Sequence, residues 1–503
     1  MKLKLALIPA LALCAASVST ANAQVSYTSL AGAEYTQNFN TLLASGNATW
    51  TQNAPQDTTN GLRGWYAFRG TEDNANVPTL FAGAGTLQTG RVYAFGTGTD
   101  SDRALGSVGA GAIDDFVSAV RLRNASTVFA ITQVAVRYRG EQWRHANGGV
   151  QSIEVGYRVA DAGTVPAGTI LLQDNANQSG FTTVSALAFN SPLINGTAVG
   201  AGVDGNTNFV NIAATVDVSV EAGRDLYFRF RDVDHAANDH GLGVDDFAFR
   251  AAEQVLPAGR TANFATSVAI GGDSRILVNG TVNINSTTAT VPAGVGGVFV
   301  NTGGVFNLGA GSFLNVAGDV TVNGGTLAVA GAITGPGTVS VTGGTAFGTG
   351  NLGNVALSGA GVVSPGANPG DIATLSGGDF AWEGGSLFFD LPVTGTIADR
   401  LALSGAFTKI GAGQRTFDFN GTGGLLTGRT FTLISFDSTD FLASDFAATN
   451  LPTGISGDFQ IVGSELQFVY GGIVAVPEPG TLPMVFGVGC WVLGAAVTRR
   501  RRL

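Results

Sequence analysis

The densest group of side chains that could do chemistry lies in the stretch "RDVDHAANDHGLGVDDF", residues 231–247. Five aspartates fall within fifteen positions there, between glycine, alanine and asparagine. Hard cations such as Ca²⁺ take several oxygen ligands from a flexible loop, although this spacing is not that of an EF-hand. The stretch therefore predicts a calcium site, with candidate ligands Asp232, Asp234, Asp239, Asp245 and Asp246.

A second interpretation of the same aspartates is structural. Asx turns and exposed ion pairs are commoner than metal sites. The arginines available for pairing are Arg137, Arg139, Arg229 and Arg231. Both interpretations stay open at this level, and we expect no cofactor other than calcium.

The three histidines of the chain do not predict a catalytic zinc. His235 and His240 are close enough in sequence to share a metal, with His145 far upstream. Zinc requires three or four nitrogen, sulfur or carboxylate ligands, and no third nitrogen or sulfur ligand lies near the pair. We therefore treat the histidines as structural.

Two tryptophans are candidates for sugar binding. Trp65 and Trp143 lie in a region rich in predicted strands, where an aromatic ring on a sheet face could stack on a sugar. The alternative is core filling, because aromatic side chains bury large areas.

Recognisable catalytic constellations are missing from the sequence. Glu141 and Glu154 flank a predicted turn, but a glycosidase needs two carboxylates across a cleft, and such pairs occur in any β-protein. The chain contains no G-x-S-x-G elbow, and its only lysines are Lys2, Lys4 and Lys409, so it has no P-loop lysine. We expect that the protein is not an enzyme.

Alternating strands must position these residues. "VAVRYRG" places Val134, Val136 and Tyr138 on one face, which we expect to be buried. "DLYFRFRD" turns one set of side chains inward and the other outward; the inward set is Leu226, Phe228 and Phe230, and the outward set is Tyr227, Arg229 and Arg231. Many such short strands between turn residues predict an antiparallel β-sandwich of jelly-roll type over residues 25–252.

This first module resembles a domain that recurs in exported bacterial proteins. The pieces that carry the resemblance are "YTQNFNTL", "LRGWYAFR", "SDRALGSV", "YRGEQWR" and "RDVDHAANDHGLGVDDFAF". The resemblance implies the sandwich fold and an export context, and no particular activity.

A second, glycine-rich module follows over residues 256–414. Gly-Gly pairs begin at Gly303, Gly324 and Gly343, so that 21 and then 19 residues separate them. A near-constant period of this length indicates stacked supersecondary units, here a parallel β-solenoid. A glycine-rich second sandwich is the alternative.

Aromatic residues return over 415–472, which we interpret as an end cap, because an open rung exposes unpaired edge groups. The module resembles autotransporter passenger repeats.

Both ends of the chain predict sorting segments. Residues 1–23 combine Lys2 and Lys4, an apolar stretch and Ala21-Asn22-Ala23, as in a secretory signal peptide. Residues 476–503 contain an uncharged run from Thr481 to Val497 that approaches the length needed for a single transmembrane helix. Arginines directly after such a helix stay cytoplasmic, so the preceding chain would lie outside the inner membrane.

The C-terminal segment resembles the PEP-CTERM sorting signal of Gram-negative bacteria. The matching residues are Pro477, Glu478, Pro479, Arg499, Arg500, Arg501 and Arg502. The resemblance implies export by the Sec machinery, an inner-membrane-anchored precursor and cleavage by an exosortase. It also implies a final location at the cell surface or outside the cell, in an organism that makes exopolysaccharide.

Charge and composition narrow the function further. The formal net charge is −10, and removal of the two sorting segments would take away six basic residues, so nucleic acid is not an expected partner. The chain is therefore interpreted as an exported structural or adhesive protein of the cell surface or biofilm matrix. The alternative is a carbohydrate-binding module that acts on exopolysaccharide.

Overall fold

The computed structural model describes most of the chain between residues 25 and 471. The described ranges are 25–50, 62–69, 75–76, 79–98, 100–111, 115–162, 180–197, 199–285, 287–368, 370–392, 395, 397–421, 428–451 and 456–471. The predicted signal peptide (1–23) and the predicted sorting segment with its transmembrane helix (476–503) lie outside these ranges. Within them, no helix is both long enough and apolar enough to cross a bilayer.

The predicted all-β class is confirmed. In the described ranges the only helical segments are two single 3₁₀ turns, Ser185–Leu187 and Ala443–Asp445. The chain divides into two compact units. Unit 1 comprises Met1–Val282, Ala289–Phe299 and Ala317–Asp319, and unit 2 comprises Asn283–Thr288, Val300–Val316 and Val320–Leu503. The division falls later than the module boundary predicted at 252–256.

The strands are numbered in chain order. Up to residue 256 they are β1 (Val25–Tyr27), β2 (Tyr35–Gln37), β3 (Asn47–Thr49), β4 (Trp65–Arg69), β5 (Ala75–Asn76), β6 (Thr79–Gly83), β7 (Arg91–Phe95), β8 (Ala104–Val108), β9 (Phe116–Asn124), β10 (Ala130–His145), β11 (Ser152–Ala160), β12 (Thr182–Thr183), β13 (Phe189–Asn190), β14 (Ala201–Gly202), β15 (Phe209–Val220), β16 (Asp225–Asp232) and β17 (Gly241–Leu256).

From residue 261 the strands are shorter. They are β18 (Thr261–Phe264), β19 (Val268–Ala269), β20 (Arg275–Val278), β21 (Thr281–Ile284), β22 (Thr288–Val291), β23 (Gly297–Asn301), β24 (Val305–Leu308), β25 (Phe313–Val316), β26 (Val320–Asn323), β27 (Thr326–Val329), β28 (Ala332–Thr334), β29 (Thr338–Val341), β30 (Thr345–Gly348), β31 (Asn354–Leu357), β32 (Val362–Pro365), β33 (Thr374–Gly377), β34 (Phe380–Trp382), β35 (Ser386–Leu391), β36 (Arg400–Leu403), β37 (Ala406–Lys409), β38 (Arg415–Gly421), β39 (Thr430–Ser435), β40 (Ser438–Thr439), β41 (Phe446–Thr449), β42 (Gly457–Val462) and β43 (Glu465–Tyr470).

Two mainly antiparallel sheets build unit 1. One has the order β12-β11-β16-β9-β4-β5, with every neighbouring pair antiparallel. In the other, β10 pairs with β15 on one side and β17 on the other, and β17 continues to β8 and β7. Trp65 and Phe230 of the first sheet contact Phe247 of the second, with ring centroids 5.4 and 6.0 Å apart. The main core of unit 1 therefore lies between the two sheets. The jelly-roll connection order stays a prediction.

One predicted strand pattern is confirmed and another needs correction. Val134, Val136 and Tyr138 are buried, as the alternation in β10 predicts. In β16, however, Tyr227 and Arg229 of the predicted outward face are also buried. The reason is a second apolar cluster on the far side of this sheet, in which Tyr227 packs with Tyr66 and Phe181. The β4–β9–β16 sheet is thus covered on both faces.

A buried ion group ties β9 to β16 in unit 1. The Asp225 carboxylate accepts hydrogen bonds from Nε and Nη2 of Arg121, at 2.9 and 2.6 Å. Arg123, opposite Asp225 in the strand register, pairs with its other oxygen. Two guanidinium groups therefore compensate one buried carboxylate, which offsets the cost of removing that charge from water.

In unit 2, parallel ladders replace the antiparallel sheets. One ladder has the order β24-β27-β30-β32-β35-β38-β41, a second β26-β29-β31-β34-β37-β40, and a third β33-β36-β39. Val305 pairs with Thr326, and Thr326 with Thr345, so one coil advances by 21 and the next by 19 residues. These separations equal those between the Gly-Gly pairs. The pairing turns antiparallel where β43 joins β39 and β42 joins β43.

Glycine is needed at a close approach between consecutive coils. Gly325 O accepts a hydrogen bond from Thr345 N at 2.9 Å. A Cβ on Gly344 would lie only 2.2 Å from this same oxygen, whereas a Cβ on Gly343 would lie 3.6 Å from its nearest neighbour. The backbone pairing between coils therefore requires glycine at 344 and tolerates a methyl group at 343.

Gly344→Ala is expected to lower the free energy of unfolding by about 1–3 kcal/mol, because a rigid backbone oxygen must move to admit the methyl group. Gly343→Ala is the matched control and should leave stability almost unchanged. Urea or thermal unfolding followed by circular dichroism measures both. Equal stability of the two variants would show that the approach of the coils does not depend on glycine at 344.

Candidate functional site

The five aspartates of the predicted calcium site divide into two groups in unit 1. The Asp232 cluster comprises Asp115, Asp232, Asp234 and Asp239, which interact with one another electrostatically. The Asp245 cluster comprises Asp102, Glu141, Asp245 and Asp246, with Arg139 among them. Each cluster thus contains acidic residues from distant parts of the chain.

The Asp232 cluster lies at the ends of β9 and β16. Asp232 is buried, and its Oδ2 accepts a hydrogen bond from Ser107 Oγ at 2.6 Å. Asp115 accepts hydrogen bonds from Arg231 Nε at 2.6 Å and from the backbone N–H of Asp234 at 2.8 Å. Asp239 Oδ1 accepts one from the backbone N–H of His235 at 3.1 Å. Hydrogen bonds thus hold three of its carboxylates in place.

Burial changes the protonation of this cluster. It raises the pKa of Asp232 well above the usual range, against the opposing effect of the Ser107 hydrogen bond. It also raises the pKa of Asp239 to about 7, and the Asp234 carboxylate adds to the shift. Asp232 and Ser107 line a cavity of about 20 Å³ among apolar side chains. This volume fits one water molecule and excludes an organic ligand.

The Asp245 cluster is built by a β-bulge between β10 and β17. Arg137 pairs with Ala248 and Arg139 with Asp245, so β17 has one residue more than β10 in this interval. Asp246 adopts a positive φ of 47° in this bulge. Bulges re-aim side chains and are enriched next to functional sites. This one places Asp245 diagonally across from Glu141, which pairs with Gly243.

Glu141 and Asp245 are two fully buried carboxyl groups with little compensation. Glu141 Oε2 accepts a hydrogen bond from Trp143 Nε1 at 2.9 Å. Glu141 Oε1 and both oxygens of Asp245 have no hydrogen-bond partner of good geometry among the described residues. Desolvation raises the pKa of Glu141 to about 7, and desolvation together with the Glu141 charge raises that of Asp245 to about 8. Both carboxyl groups therefore titrate near neutral pH, well above the ordinary carboxyl range.

Arg139 lies against Glu141. Its Nη1 lies 3.5 Å from Glu141 Oε1 and its Nη2 lies 3.3 Å from Asp246 Oδ2. The guanidinium group also lies over the ring of Phe209, 4.6 Å from its centroid. The Glu141 side chain is only 1% exposed, whereas that of Asp246 is 46% exposed. The buried Glu141 carboxyl thus lies beneath Arg139, whose guanidinium group also contacts Phe209 and Asp246.

This arrangement can bind and release protons. Carboxyl groups with pKa values near neutrality are suited to general acid–base chemistry when a substrate reaches them. Here Arg139 lies against Glu141, and Phe209 lies against Arg139, so both would have to move before a substrate could contact Glu141. In the described conformation the pair is a closed proton-holding group rather than an open catalytic cleft.

The structure tests the alternative of ion pairing residue by residue. Arg139 pairs with Asp246, as that alternative expects. Arg231 pairs instead with Asp115 and Glu154, and Arg137 with Glu34. Arg229 lies over the Phe181 ring, 4.3 Å from its centroid. Within the described ranges no three histidine, cysteine or acidic side chains converge as metal ligands. Calcium binding by the five aspartates stays a prediction.

The predicted role of the tryptophans in sugar stacking needs correction. Trp65 and Trp143 are both fully buried. Trp65 packs between Phe39 and Phe230, and Trp143 stacks on Phe95 at 6.0 Å. A ring without an exposed face cannot stack on a surface sugar. The core-filling alternative describes both residues, and Trp143 also anchors Glu141.

His240 has a structural role. Its Nδ1 accepts a hydrogen bond from the Ala146 N–H at 2.9 Å, and its Nε2 lies 2.8 Å from Gly149 O. Burial lowers the pKa of this ring, so it stays neutral and can donate from Nε2 to that carbonyl. The histidine thus joins the end of β10 to the turn that follows it.

Sequence reasoning missed Asp102, Asp115 and the pairing of Glu141 with Asp245. These residues come from separate strands and loops, and only the register of β10 against β17 brings Glu141 to Asp245. One usable signal was the alternation of "RYRGEQW", which places Arg139, Glu141 and Trp143 on the same face of β10.

Comparison with known proteins identifies the C-terminal segment. Residues 475–502 match the PEP-CTERM protein-sorting motif. No curated protein matches the chain. The chain therefore carries the sorting motif of an exported exosortase substrate, which implies a membrane-anchored precursor.

Solved structures show only weak similarity to this chain. The crystal structure of the Agl-KA catalytic domain is similar at 10% identity and a TM-score of 0.19, with 84% of this chain and 87% of that chain covered. A GH87 alpha-1,3-glucanase catalytic domain in complex with tetrasaccharides is similar at 11% identity and a TM-score of 0.12, with 68% and 76% covered. Similarities this low carry no argument about this chain.

The raised pKa values predict that stability falls as pH rises. Glu141 and Asp245 bind protons more tightly in the folded chain than in the unfolded chain, where carboxyl pKa values are about 4. The contribution of these two groups to folding is therefore greatest below pH ~4, and each can remove up to about 1.4 kcal/mol per pH unit until pH passes its folded pKa. We expect the Tm to fall between pH 5 and 8, and Asp245→Asn to reduce the slope.

Asp161→Asn is the control, because the Asp161 side chain is 71% exposed. It should leave the slope unchanged. Part of the slope will remain in Asp245→Asn, because Asp232 and Asp239 also have raised pKa values. A wild-type Tm that rises from pH 5 to 8 would contradict the protonated state of these carboxyls.

The calcium prediction has its own measurement. A calcium ion held by the predicted aspartates would stabilise the folded chain by an amount that grows with the logarithm of the free calcium concentration above its Kd. Addition of Ca²⁺ should then raise the Tm, a chelator should lower it, and Asp234→Asn should weaken both effects. Mg²⁺ at the same concentration is the control, because it demands a tighter octahedral site. A Tm that changes neither with calcium nor with chelator would contradict the predicted calcium site.

Proposed function

We propose that this chain is a structural or adhesive protein of the bacterial cell surface or biofilm matrix, released from a membrane-anchored precursor by an exosortase. The observation that carries this proposal is the PEP-CTERM motif at residues 475–502. The specific surface role goes beyond that motif and is supported by the composition and architecture of the rest of the chain.

The sorting step follows from the order of residues in the C-terminal segment. The uncharged run from Thr481 to Val497 would enter the inner membrane as a helix, after export through the Sec machinery, with Arg499–Arg502 held on the cytoplasmic side. Pro477 and Pro479 cannot lie within a regular helix, so Glu478 would stay in an extended segment outside the membrane. An extended backbone is the form that a peptidase needs for cleavage.

The mature chain would be well suited to a mechanical role. Its two cysteines, Cys14 and Cys490, both lie in the sorting segments, so the secreted form would contain no thiol to oxidise. We propose that residues 25–252 form a jelly-roll head. Residues 256–414 would form a stiff solenoid spacer, closed by a cap at 415–472. The parallel ladders of unit 2 support the spacer, because each coil is hydrogen-bonded to the next along the chain.

We further propose that the protein is not an enzyme. The strongest acid–base pair found in the described residues is Glu141 with Asp245; both groups are buried, and Arg139 lies against Glu141. Their chemistry supports a response to pH rather than turnover of a substrate. Their conversion to a catalytic site would require a movement of Arg139 and Phe209.

Expression in a host with and without its exosortase tests the sorting proposal. We expect the exported protein to lack residues after the Pro-Glu-Pro segment when exosortase is present, and to remain in the membrane fraction at precursor mass when it is absent. A Pro477→Ala, Pro479→Ala double variant should behave as if exosortase were absent.

The control is Glu383→Ala, which changes an exposed acidic residue far from the motif. Mass spectrometry of each fraction distinguishes precursor from product. The same mass and the same location in both hosts would end the sorting proposal.

A further inference from the structure

An open groove lies on the outer face of one parallel ladder in unit 2. It has a volume of about 260 Å³ and crosses β30, β32 and β35. Its principal lining side chains are those of Thr345, Phe347, Val362, Ser364, Asn368 and Phe388. This is just below the roughly 300–1,000 Å³ of a typical small-molecule pocket, so it suits part of a long ligand that continues beyond the groove.

Two half-buried aromatic rings define this groove. Phe347 pairs in register with Ser364, and Val363 with Leu387 in the next rung, so that Phe388 follows Ser364 in the same outward column. The backbones of Phe347 and Phe388 are therefore two rungs apart, or about 9.6 Å. Carbon atoms in contact are about 3.5–4.0 Å apart, so one puckered ring fits between the two phenyl groups.

Small neighbours keep the rings available. Ala328 precedes Phe347 in the ladder register, and Ser364 lies between the two rings. Aromatic side chains on adjacent rungs would instead cover one another. The aromatic surface is therefore presented to the solvent side of the ladder.

Polar groups at the groove are neutral. Thr345 and Ser364 contribute hydroxyl groups, and Asn368 contributes an amide whose Nδ2 donates to Asp371 Oδ2 at 2.9 Å. Aromatic faces beside hydroxyl and amide groups are the chemistry that binds a sugar ring, which has apolar C–H faces and a polar rim.

The charge around the groove determines which class of polymer could bind there. The six principal lining residues carry no charge, whereas Asp371 lies at the rim and Asp418 follows Phe388 in the column. The whole chain has a formal net charge of −10. An anionic polymer would be repelled, while a neutral polymer would not.

A peptide strand is a poor fit for the same surface. Strands β30, β32 and β35 are each paired to the next rung along this ladder, so their backbone groups are used within the sheet. Strand addition requires an unpaired edge. The groove offers side chains on a sheet face, not a free backbone.

We propose that the Phe347–Phe388 groove binds a neutral polysaccharide, with one sugar ring held between the two phenyl groups. This site rests on the proposed location outside the cell, where such polymers occur. It gives the surface protein a direct contact with a matrix glycan, through different residues and a different unit from Trp65 and Trp143.

Affinity electrophoresis of the purified full-length chain in gels that contain soluble neutral glucans, mannans or galactans tests the site. We expect retardation by at least one neutral polymer. Phe347→Ala and Phe388→Ala should each weaken binding about tenfold, since a stacked aromatic contact contributes about that factor. Phe347→Trp should restore it. Ser364→Gln, which fills the space between the rings, should weaken binding with both rings present.

Phe313→Ala is the matched control, because Phe313 is 50% exposed on β25, outside this ladder. It should bind as the wild type does, and circular dichroism confirms that each variant is folded. Binding that survives both phenylalanine substitutions would overturn the proposal. So would retardation only by an anionic polymer such as alginate, binding only to lipid vesicles, or no retardation by any neutral polymer. Because the purified chain is used, failure here leaves the sorting proposal untouched.

Discussion

Backbone hydrogen bonding between neighbouring strands is the interaction on which this protein depends. In unit 2 each rung is only about four residues long, as in β24, β27 and β30. One such strand buries two side chains, too few to order it alone. Its stability comes from pairing with the rungs before and after it, which is why the close approach at Gly344 matters. A coil that cannot approach its neighbour loses its hydrogen bonds and its packing together.

Unit 1 relies on the same pairing but also buries charge, and it does so in two different ways. Asp225 is surrounded by Arg121 and Arg123, so its desolvation is offset by two direct ion pairs. Glu141 shares the single guanidinium group of Arg139 with Asp102 and Asp246, and both oxygens of Asp245 lack a hydrogen-bond partner among the described residues. Two ion pairs compensate the first carboxylate, whereas desolvation raises the pKa of both acids in the second group. The number of cations within reach decides between the two outcomes.

The sequence predicts local periodicity well and long-range assembly poorly. The alternation around Val136 and the spacing of the Gly-Gly pairs both reappear in the structure, because each reflects neighbours within one strand or one coil. The outward face assigned to Tyr227 was wrong, and of the two roles considered for Trp65 and Trp143, sugar stacking and core filling, their burial fits core filling. Their burial depends on elements far away in sequence, such as Phe181 packing beneath β16. The pairing of Glu141 with Asp245 was missed for the same reason, since a bulge in β17 sets it.

The Phe347–Phe388 groove of unit 2 and the buried acids of unit 1 differ in what holds their residues in place. This difference affects how each site could acquire a function. The inward residues of a ladder, such as Ala346 and Val363, are fixed by packing. The outward residues between them, such as Phe347 and Ser364, contribute little to the core, so the fold does not require an aromatic residue at these positions. A large apolar side chain at an outward position leaves part of its surface exposed to water and adds little to the packing of the core. Two of them, spaced by a serine around a shared groove, are more simply explained by a ligand than by stability. The buried acids of unit 1 are the opposite case, because the bulge and the indole of Trp143 hold them and any change there disturbs the core.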